Sequence, residues 1–125
     1  MMGSLNFRRK GGAAVKVAII GSRSLQPEDF TEYLPEDTTV IISGGARGVD
    51  SAARAYALRR HIPYIEFRPD YKMYGSFAPL MRNLEIIRAA DLVLAFWDGQ
   101  SRGTMHVISS CRKEKIPCRV FMPKR

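Results

Sequence analysis

Residues 43–50, Ser-Gly-Gly-Ala-Arg-Gly-Val-Asp, have the types and spacing best suited to binding chemistry. They follow the apolar run Val40 to Ile42, which is typical of a buried strand, and they precede a helical pattern that starts at Val49. Glycines at such a junction let a ligand approach the main chain, and the free N–H groups at a helix start favour an anion. The stretch therefore predicts a turn that binds phosphate or carboxylate; the alternative is a simple tight turn.

Asp50 lies in the first turn of the predicted helix. A carboxylate at this position can accept a hydrogen bond from an N–H group that the helix leaves unpaired, so we interpret Asp50 as a cap rather than as a catalytic residue. The helix is predicted because small or apolar residues recur at the spacing of one packed face. These residues are Val49, Ala52, Ala53, Tyr56 and Ala57.

Two other turns have a similar composition. The apolar strand predicted at 15–20 ends in Gly21-Ser22-Arg23-Ser24, and the apolar strand predicted at 91–96 leads into Trp97-Asp98-Gly99-Gln100-Ser101-Arg102-Gly103. Each combines small residues with an arginine directly after a strand that is apolar almost throughout. We expect these turns to face an anion as well.

Strands and helices alternate along the chain and must position these turns. Strands are predicted at 15–20, 38–42, 63–67, 91–96 and 119–122, helices at 27–34, 49–60, 77–88 and from 104 onward, and a long aromatic loop at 68–76. The third helix is predicted from Phe77, Leu80, Met81, Leu84 and Arg88, and the fourth is predicted to pack through Thr104, Val107, Ile108 and Cys111. Apolar strands separated by single helices predict a parallel sheet with helices on both faces. The predicted fold class is therefore α/β, a single Rossmann-like three-layer domain with a mostly parallel five-stranded sheet of order 3-2-1-4-5.

With that order, the loops after the first, second and fourth strands meet where the strand order reverses, which is where open α/β sheets bind ligands. The predicted ligand-binding residues are Gly21, Ser22, Arg23, Ser43, Gly44, Gly45, Arg47, Gly48, Trp97, Asp98, Ser101, Arg102, Gly103 and Thr104. Arginines and backbone N–H groups suit phosphate, and Trp97 or Tyr71 could stack on a base. We therefore expect a nucleotide-derived ligand. Neither GxxxxGK[ST] nor GxGxxG occurs, so a standard ATPase or dehydrogenase is not supported.

The charge of the chain is concentrated in its ends. Its 125 residues carry 20 Lys and Arg against 12 Asp and Glu, and removing the five bases at 8–10 and 124–125 leaves a net charge of only +3. We expect residues 1–14 to be a flexible basic tail and residues 15–125 to be the one domain. The basic ends could hold nucleic acid non-specifically or could simply be solubilising.

Cysteine usage and hydropathy indicate a cytoplasmic protein. Cys111 and Cys118 are the only cysteines, and without a CxxC or a His/Cys cluster neither a metal site nor a disulfide framework is expected. No apolar run approaches the roughly 18 residues that a membrane span needs, and no signal segment follows the basic start. We expect no membrane partner, and no cofactor other than a nucleotide-derived ligand.

Three segments together resemble the SLOG superfamily over about residues 15–122. They are Val17 to Arg23, Ile42 to Ala53, and Ala90 to Gly99 with Ser101 to Thr104. The superfamily contains the Smf/DprA DNA-processing proteins and the LOG phosphoribohydrolases, and the small single-domain YpsA-related branch is the most similar. The resemblance implies a Rossmann-like fold, a nucleotide or nucleotide-derived ligand that is sensed or processed, and a homo-oligomer.

The resemblance to the LOG enzymes is incomplete at the position of their catalytic glutamate. Gly103-Thr104 matches the GT pair of their PGGxGTxxE motif, and Arg82, beside Asn83, resembles their helix arginine, which adds both residues to the predicted ligand site. The glutamate position is Val107, however. An N-glycosidic nucleoside-monophosphate hydrolase therefore stays an alternative only if Asp98 or His106, with Arg82, supplies the acid or base.

A second alternative comes from the Smf/DprA relatives. Residues 43–50 resemble the loop that lies close to nucleic acid in those proteins, which implies single-stranded nucleic-acid binding. Because the net charge of the residues between the two basic ends is modest, the sequence does not require strong non-specific binding to DNA. Binding of a nucleotide-like small molecule is the first expectation, and single-stranded nucleic acid is the rival partner.

Overall fold

The computed structural model describes residues 15–123, so the predicted tail at 1–14 lies outside the described residues. The strands are β1 (Val15–Gly21), β2 (Thr38–Ser43), β3 (Tyr64–Glu66), β4 (Leu92–Phe96) and β5 (Cys118–Phe121). The helices are α1 (Val49–Arg59), α2 (Tyr71–Tyr74), α3 (Ala78–Ala89) and α4 (Arg102–Glu114), and a 3₁₀ turn spans Gly75–Phe77. None of the helices between residues 15 and 123 has the length and apolar character to cross a bilayer.

The five strands form one parallel sheet in the order β3-β2-β1-β4-β5, which confirms the predicted topology. β1 pairs with β2 on one side and with β4 on the other, so the chain order reverses between β1 and β4. The carboxyl ends of these three strands consequently lie side by side at one edge of the sheet. This geometry brings the loops after them into reach of one another.

Both faces of the sheet are covered, as the apolar strands predict. Alternate residues of β1 point to opposite sides, so Val17 and Ile19 join one apolar cluster while Ala18 and Ile20 join another. The first cluster includes the α1 face, with Val49, Ala52, Ala53, Tyr56 and Ala57 buried as predicted. The second includes Ile86 and Ile87 of α3 and the predicted α4 face of Val107, Ile108 and Cys111. The fold is therefore a three-layer α/β domain.

The helix predicted at 27–34 does not form. Phe30 is completely buried, and its ring meets those of Tyr56 and Phe96 edge-on at 5.5 and 5.3 Å between centroids. Asp29 accepts hydrogen bonds from both the N–H and the hydroxyl of Thr31, a local turn that competes with helix formation. The segment is too short to offset the cost of helix nucleation, so packing of Phe30 decides its path.

The loop predicted at 68–76 contains a short helix. Asp70 caps it, because its carboxylate accepts a hydrogen bond from the N–H of Met73 at 3.1 Å, and the 3₁₀ turn then leads directly into α3. The N-cap signal of Asp70 was available in the sequence, but the aromatic, aperiodic residues after it obscured a helix of one turn.

The third helix is present, but the residues that predicted it are not the ones that it buries. The buried residues of α3 are Ala78, Asn83, Ile86 and Ile87, whereas Phe77 is 65% exposed and Leu80 is 40% exposed. Phe77 and Leu80 do not form the inward face of α3, because Ala78 and Asn83 occupy part of it. As a consequence, Leu80 is available at the rim of the site described below.

Two glycines with positive φ provide a matched test of this fold. Gly48 (φ 75°) starts α1, and a Cβ there would lie 2.6 Å from backbone atoms of Ser22 and Arg23; Gly75 (φ 56°) has open space. Because Gly75 combines φ 56° with ψ −133°, which only glycine adopts readily, we expect Gly75→Ala to cost about 2 kcal/mol, and Gly48→Ala, with a similar backbone (ψ −123°), to cost roughly 4 kcal/mol or more because a main-chain clash adds. Urea unfolding measures both, and equal losses would contradict the close approach of the two loops.

Candidate functional site

Ser22 joins the three loops at the carboxyl edge of the sheet. Its N–H donates to the carbonyl of Phe96 at 2.9 Å, and its own carbonyl accepts from the N–H of Val49 at 3.4 Å. Its hydroxyl accepts from the N–H of Asp98 at 3.0 Å, and the residue is almost fully buried. The loops after β1, β2 and β4 are therefore held together through one small side chain and its backbone.

A cleft of about 420 Å³ lies beside this junction, between the loops and the start of α3. Its lining includes eight residues that the sequence predicted for the site: Gly21, Arg23, Arg82, Asn83, Asp98, Ser101, Gly103 and Thr104. It also includes Ile20, Ser24, Ala46, Asp50, Pro79, Leu80, Ile86 and Val107, which the sequence did not assign to it. The cleft has the size of a small-molecule site.

The N-terminus of α4 forms one end of the cleft. Ser101 is its N-cap, with its hydroxyl accepting from the N–H of Thr104 at 3.3 Å. The N–H groups of Arg102 and Gly103 have no partner within the helix at these positions, and the 13-residue helix contributes its positive dipole end. A Cβ at Gly103 would meet open space, so the main chain is accessible from the cleft. This end can bind an anion.

Asp50 also lines the cleft, and its predicted role as a helix cap is wrong. Gly48 is the N-cap residue of α1 and makes no side-chain cap, while the Asp50 carboxylate turns back to accept a hydrogen bond through Oδ2 from the N–H of Ala46 at 3.1 Å. The side chain is 5% exposed, and Oδ1 has no hydrogen-bond partner among the described residues. Burial raises the pKa of Asp50, and the N–H of Ala46, the charge of Arg82, the Ser43 hydroxyl and the N–H of Gly21 each offset part of that rise.

The glycine turn at 44–48 faces two carboxylates. Besides Asp50, the Glu66 carboxylate packs against Gly45, where an added Cβ would lie 2.7 Å from it. Burial raises the pKa of Glu66, but hydrogen bonds from Arg68 and Tyr64 hold it below its ordinary value, so Glu66 is ionised. Two negative groups oppose a phosphate here, and the 101–104 turn is the better anion site.

Arg82 bridges α3 and the glycine turn. Its Nη1 donates to the carbonyl of Gly44 at 2.7 Å and its Nε donates to the Oδ1 of Asn83 at 3.0 Å. A Cβ at Gly44 would lie 2.8 Å from the guanidinium, so a larger residue there would displace the end of the Arg82 side chain. Arg82 therefore braces the turn while it lines the cleft.

Asp98 is a structural carboxylate. The Ser24 hydroxyl donates to its Oδ2 at 2.7 Å, and the N–H groups of Gln100 and Ser101 donate to its Oδ1 at 2.9 and 2.8 Å. These bonds, the Ser24 contact foremost, hold the pKa of Asp98 far below its ordinary value. A carboxylate that stays ionised is a poor general acid and a weak base, so its contacts favour shaping the loop after β4.

The other predicted site residues support the cleft from behind or lie outside its lining. The Ser43 hydroxyl donates to the carbonyl of Ile19 at 2.7 Å, and the Trp97 indole N–H donates to the carbonyl of Ser101 at 3.1 Å. Arg47 and Arg102 are exposed and do not line the cleft, whereas Arg23 does. Tyr71 is 61% exposed on α2, away from the lining residues.

His106 also lies outside the cleft lining. Its Nδ1 is 3.3 Å from the Asn83 Nδ2, and its Nε2 is 3.5 Å from the Ser110 hydroxyl. Burial lowers the pKa of His106. Its position between α3 and α4 favours a packing role. Within residues 15–123, moreover, no group of His, Cys, Asp and Glu side chains is arranged to hold a metal ion.

Sequence reasoning missed the apolar wall of the cleft and the true orientation of Asp50. The wall includes Pro79 and Leu80 in the first turn of α3. A proline at a helix start followed by an outward-facing leucine is a weak signal that could have marked it. The Asp50 orientation had no sequence signal, because it depends on the path of the glycine turn.

Comparisons with known proteins agree with this architecture. The sequence profile described as the YspA, cpYpsA-related SLOG family matches residues 28–74, which contain the glycine turn and Asp50. The Gene 61 protein of Mycobacterium phage D29 is 39% identical over 85 residues, which make up 62% of this chain and 67% of that protein.

Two solved structures share the fold. DNA processing protein A (DprA) from Streptococcus pneumoniae superposes with a TM-score of 0.73 at 20% identity, over 89% of this chain and 51% of that one. DprA from Helicobacter pylori, a structure described for its single-stranded DNA binding mode, gives a TM-score of 0.66 at 25% identity, over 89% and 66%. The chain thus spans about half of the S. pneumoniae protein.

The two carboxylates of the cleft should respond in opposite directions to amide substitution. Asp50→Asn removes a charge whose burial costs stability, so we expect the melting temperature at pH 7.5 to rise by about 3–6 °C, equivalent to roughly 1 kcal/mol. Asp98→Asn weakens a saturated set of hydrogen bonds, so the melting temperature should fall. Thermal unfolding followed by circular dichroism measures both.

The pH dependence supplies the control for Asp50. Because its folded-state pKa is raised, ionised Asp50 costs stability above that pKa, and the cost disappears as the pH falls toward the unfolded-state value. The gain of Asp50→Asn over wild type should therefore shrink between pH 7.5 and pH 4. A gain that is constant over this range would contradict the assigned cause.

Proposed function

The chain belongs to the YspA, cpYpsA-related SLOG family, and from that premise we propose that its cleft binds a nucleotide or a nucleotide-derived phosphorylated molecule. The observation that carries the proposal is the polarity of the cleft. The positive end of α4 lies beside Arg23 and Arg82, and a buried carboxylate, Asp50, lies in the same lining. A molecule with an anionic group and hydrogen-bond donors matches that pattern.

The phosphate is assigned to the turn at 101–104. The exposed main chain at Gly103, the hydroxyl of Thr104 and the guanidinium of Arg23 are all on the cleft wall. Backbone N–H groups at a helix start and a planar arginine are the usual partners of phosphate oxygens. The carboxylates at the glycine turn disfavour a second phosphate there, so a single phosphoryl group fits better than a dispersed polyanion.

The base is assigned to the apolar wall. Ile20, Pro79, Leu80, Ile86 and Val107 line the cleft, whereas Trp97 and Tyr71 do not. A base buries apolar ring surface against such side chains, so a stacking aromatic is not needed for affinity. The proposal therefore replaces the expected aromatic stacking with packing on the first turns of α3.

Binding is favoured over glycosidic-bond cleavage. Asp98 is engaged by the Ser24 hydroxyl and two backbone N–H groups, and His106 lies outside the lining. Val107, at the position of the LOG glutamate, is a buried apolar residue of α4. We accordingly propose a protein that senses or sequesters its ligand, and incubation with nucleoside monophosphates should release no free base.

Substitution of single arginines tests the proposed site. Arg23 and Arg47 are both exposed arginines in loops at the same edge of the sheet, but only Arg23 lines the cleft. We expect Arg23→Ala to weaken the binding of a nucleoside 5′-monophosphate about tenfold or more, because a charge-assisted hydrogen bond is lost. Isothermal titration calorimetry with the four ribonucleoside 5′-monophosphates measures the change.

Arg47→Ala is the matched control and should alter affinity less than about twofold, since it removes an equal charge away from the cleft. Equal losses of affinity in both variants would mean that the ligand responds to the overall charge of this edge and not to a site in the cleft. Absence of binding by every monophosphate, together with no shift of the melting temperature at millimolar ligand, would refute the proposed function.

Single-stranded DNA binding is the second candidate function. It is favoured by the fold shared with the H. pylori protein, which was described for its single-stranded DNA binding mode. Arg47 and Arg102 are exposed residues at the same edge of the sheet and offer two charges to the backbone of a nucleic acid. The modest charge of residues 16–121 makes this binding weaker than that of a dedicated nucleic-acid protein.

The two candidates predict different responses to charge reversal. If DNA crosses this edge, Arg47→Glu combined with Arg102→Glu should abolish binding of a fluorescein-labelled deoxythymidine 20-mer, while 5′-monophosphate affinity should change far less. Substituting Arg8, Arg9 and Lys10 by Ala separates the tail contribution. Fluorescence anisotropy at 50 and 200 mM salt measures both, and binding lost only in the tail variant would exclude a DNA site on the domain.

A further inference from the structure

A row of hydrogen bonds joins α4 to the glycine turn through the wall of the cleft. Arg82 donates through Nη1 to the carbonyl of Gly44 at 2.7 Å and through Nε to the Oδ1 of Asn83 at 3.0 Å. The Nδ2 of Asn83 lies 3.3 Å from the Nδ1 of His106, whose Nε2 lies 3.5 Å from the Ser110 hydroxyl. Arg82 and Asn83 line the cleft, so His106, which lies outside it, is connected to two residues of its wall.

The chemistry of the groups fixes the direction of these bonds. A guanidinium can only donate, so the Asn83 Oδ1 is the acceptor for Arg82 and the Asn83 amide turns its NH₂ toward His106. The Nδ1 of His106 accepts from that NH₂ only when it carries no proton. The network therefore requires a neutral His106 with its proton on Nε2, from which it can donate to the hydroxyl of Ser110.

Protonation of His106 is incompatible with this network. A protonated imidazole donates from both nitrogens, so its Nδ1–H would face the NH₂ of Asn83, and turning the amide over would place the NH₂ against the Nε of Arg82. One hydrogen bond is lost in either arrangement. Burial lowers the pKa of His106 in the same sense. The charged residue that reaches it from α3 is Arg82, through Asn83, and Arg102 lies one turn before it on α4; neither cation favours a second positive charge.

We propose that His106 is a positioning residue for the cleft: its neutral ring orients the Asn83 amide, the amide holds Arg82 in the wall, and a proton on His106 breaks this arrangement and weakens ligand binding. The inference rests on the proposed function, because the ligand is the phosphorylated molecule bound in the cleft. The proton acts through geometry, since its charge alone would attract an anionic ligand. The two effects have opposite signs and can therefore be told apart.

The tautomer of His106 can be measured without any ligand. His61 and His106 are the only histidines of the chain, so an NMR spectrum that correlates ¹H and ¹⁵N of the imidazoles contains two sets of signals. His61→Asn assigns them, because asparagine tolerates the left-handed backbone at His61 (φ 58°). We expect neutral His106 to carry its proton on Nε2. A proton on Nδ1 of the neutral ring would overturn the inference whether or not a ligand binds.

Two substitutions of His106 separate its acceptor from its proton. His106→Asn places an amide oxygen where Nδ1 stands and cannot be protonated, whereas His106→Leu fills the position without an acceptor. Calorimetry at pH 7.5 with the tightest-binding ribonucleoside 5′-monophosphate measures their affinities. We expect His106→Asn to stay within about twofold of wild type and His106→Leu to bind about fivefold more weakly, since one hydrogen bond is lost. Equal affinities in all three proteins would contradict a positioning role.

The pH profile isolates the proton on His106. The ligand phosphate also titrates at about pH 6, but that change affects wild type and His106→Asn equally, so the ratio of their affinities reports the histidine alone. We expect wild type to fall about fivefold relative to His106→Asn between pH 7.5 and pH 5.

The outcomes distinguish this inference from the proposed function. A constant ratio of affinities, or a relative gain by wild type at low pH, would overturn the inference while the proposed function stands. Failure of every monophosphate to bind at pH 7.5 would refute the proposed function and with it the effect on ligand affinity. The nitrogen spectrum would still test the hydrogen-bond network of His106 and Asn83 by itself.

Discussion

The site depends on the burial of one small polar residue at the edge of the sheet. Ser22 uses its N–H, its carbonyl and its hydroxyl to hold the loops after β4 and β2 against its own loop. Each buried polar group must be paired, so these three bonds fix the loops in a single arrangement. Gly48 can approach Ser22 and Arg23 closely only because it has no Cβ. The cleft is a consequence of that close approach.

The two acids of the cleft illustrate how environment separates chemically identical groups. Asp98 is half-buried and saturated with donors, which stabilise its charge and give the loop after β4 its shape. Asp50 is buried, and burial outweighs the donors around it, so its charge is a cost to the folded state. The same chemical group therefore stabilises the fold in one environment and weakens it in the other.

The sequence predicted the sheet because that part of the fold is encoded locally. Runs such as Leu92 to Phe96 are apolar on both faces, and only a covered parallel sheet buries them in this way. The glycine turns were predicted from the same local pattern, because small residues directly follow the apolar strands. The error at 27–34 has a tertiary cause: Phe30 packs on Tyr56 and Phe96, which are distant in sequence, and neither pattern nor propensity contains those partners.

For the site, residue type was a better guide than residue role. Arg23, Arg82 and Gly103 line the cleft, yet Arg47 and Arg102 have the same chemistry and lie outside it, because a turn of a few residues can send a long side chain to either side. Asp50 is the sharpest case, since one turn of backbone decides whether a first-turn carboxylate caps its helix or faces the cleft. The turn made by Gly44, Gly45 and Gly48 brings the N–H of Ala46 to the Asp50 carboxylate and selects the second outcome. The glycines of this stretch therefore hold a carboxylate against the turn, and phosphate is better placed at the start of α4.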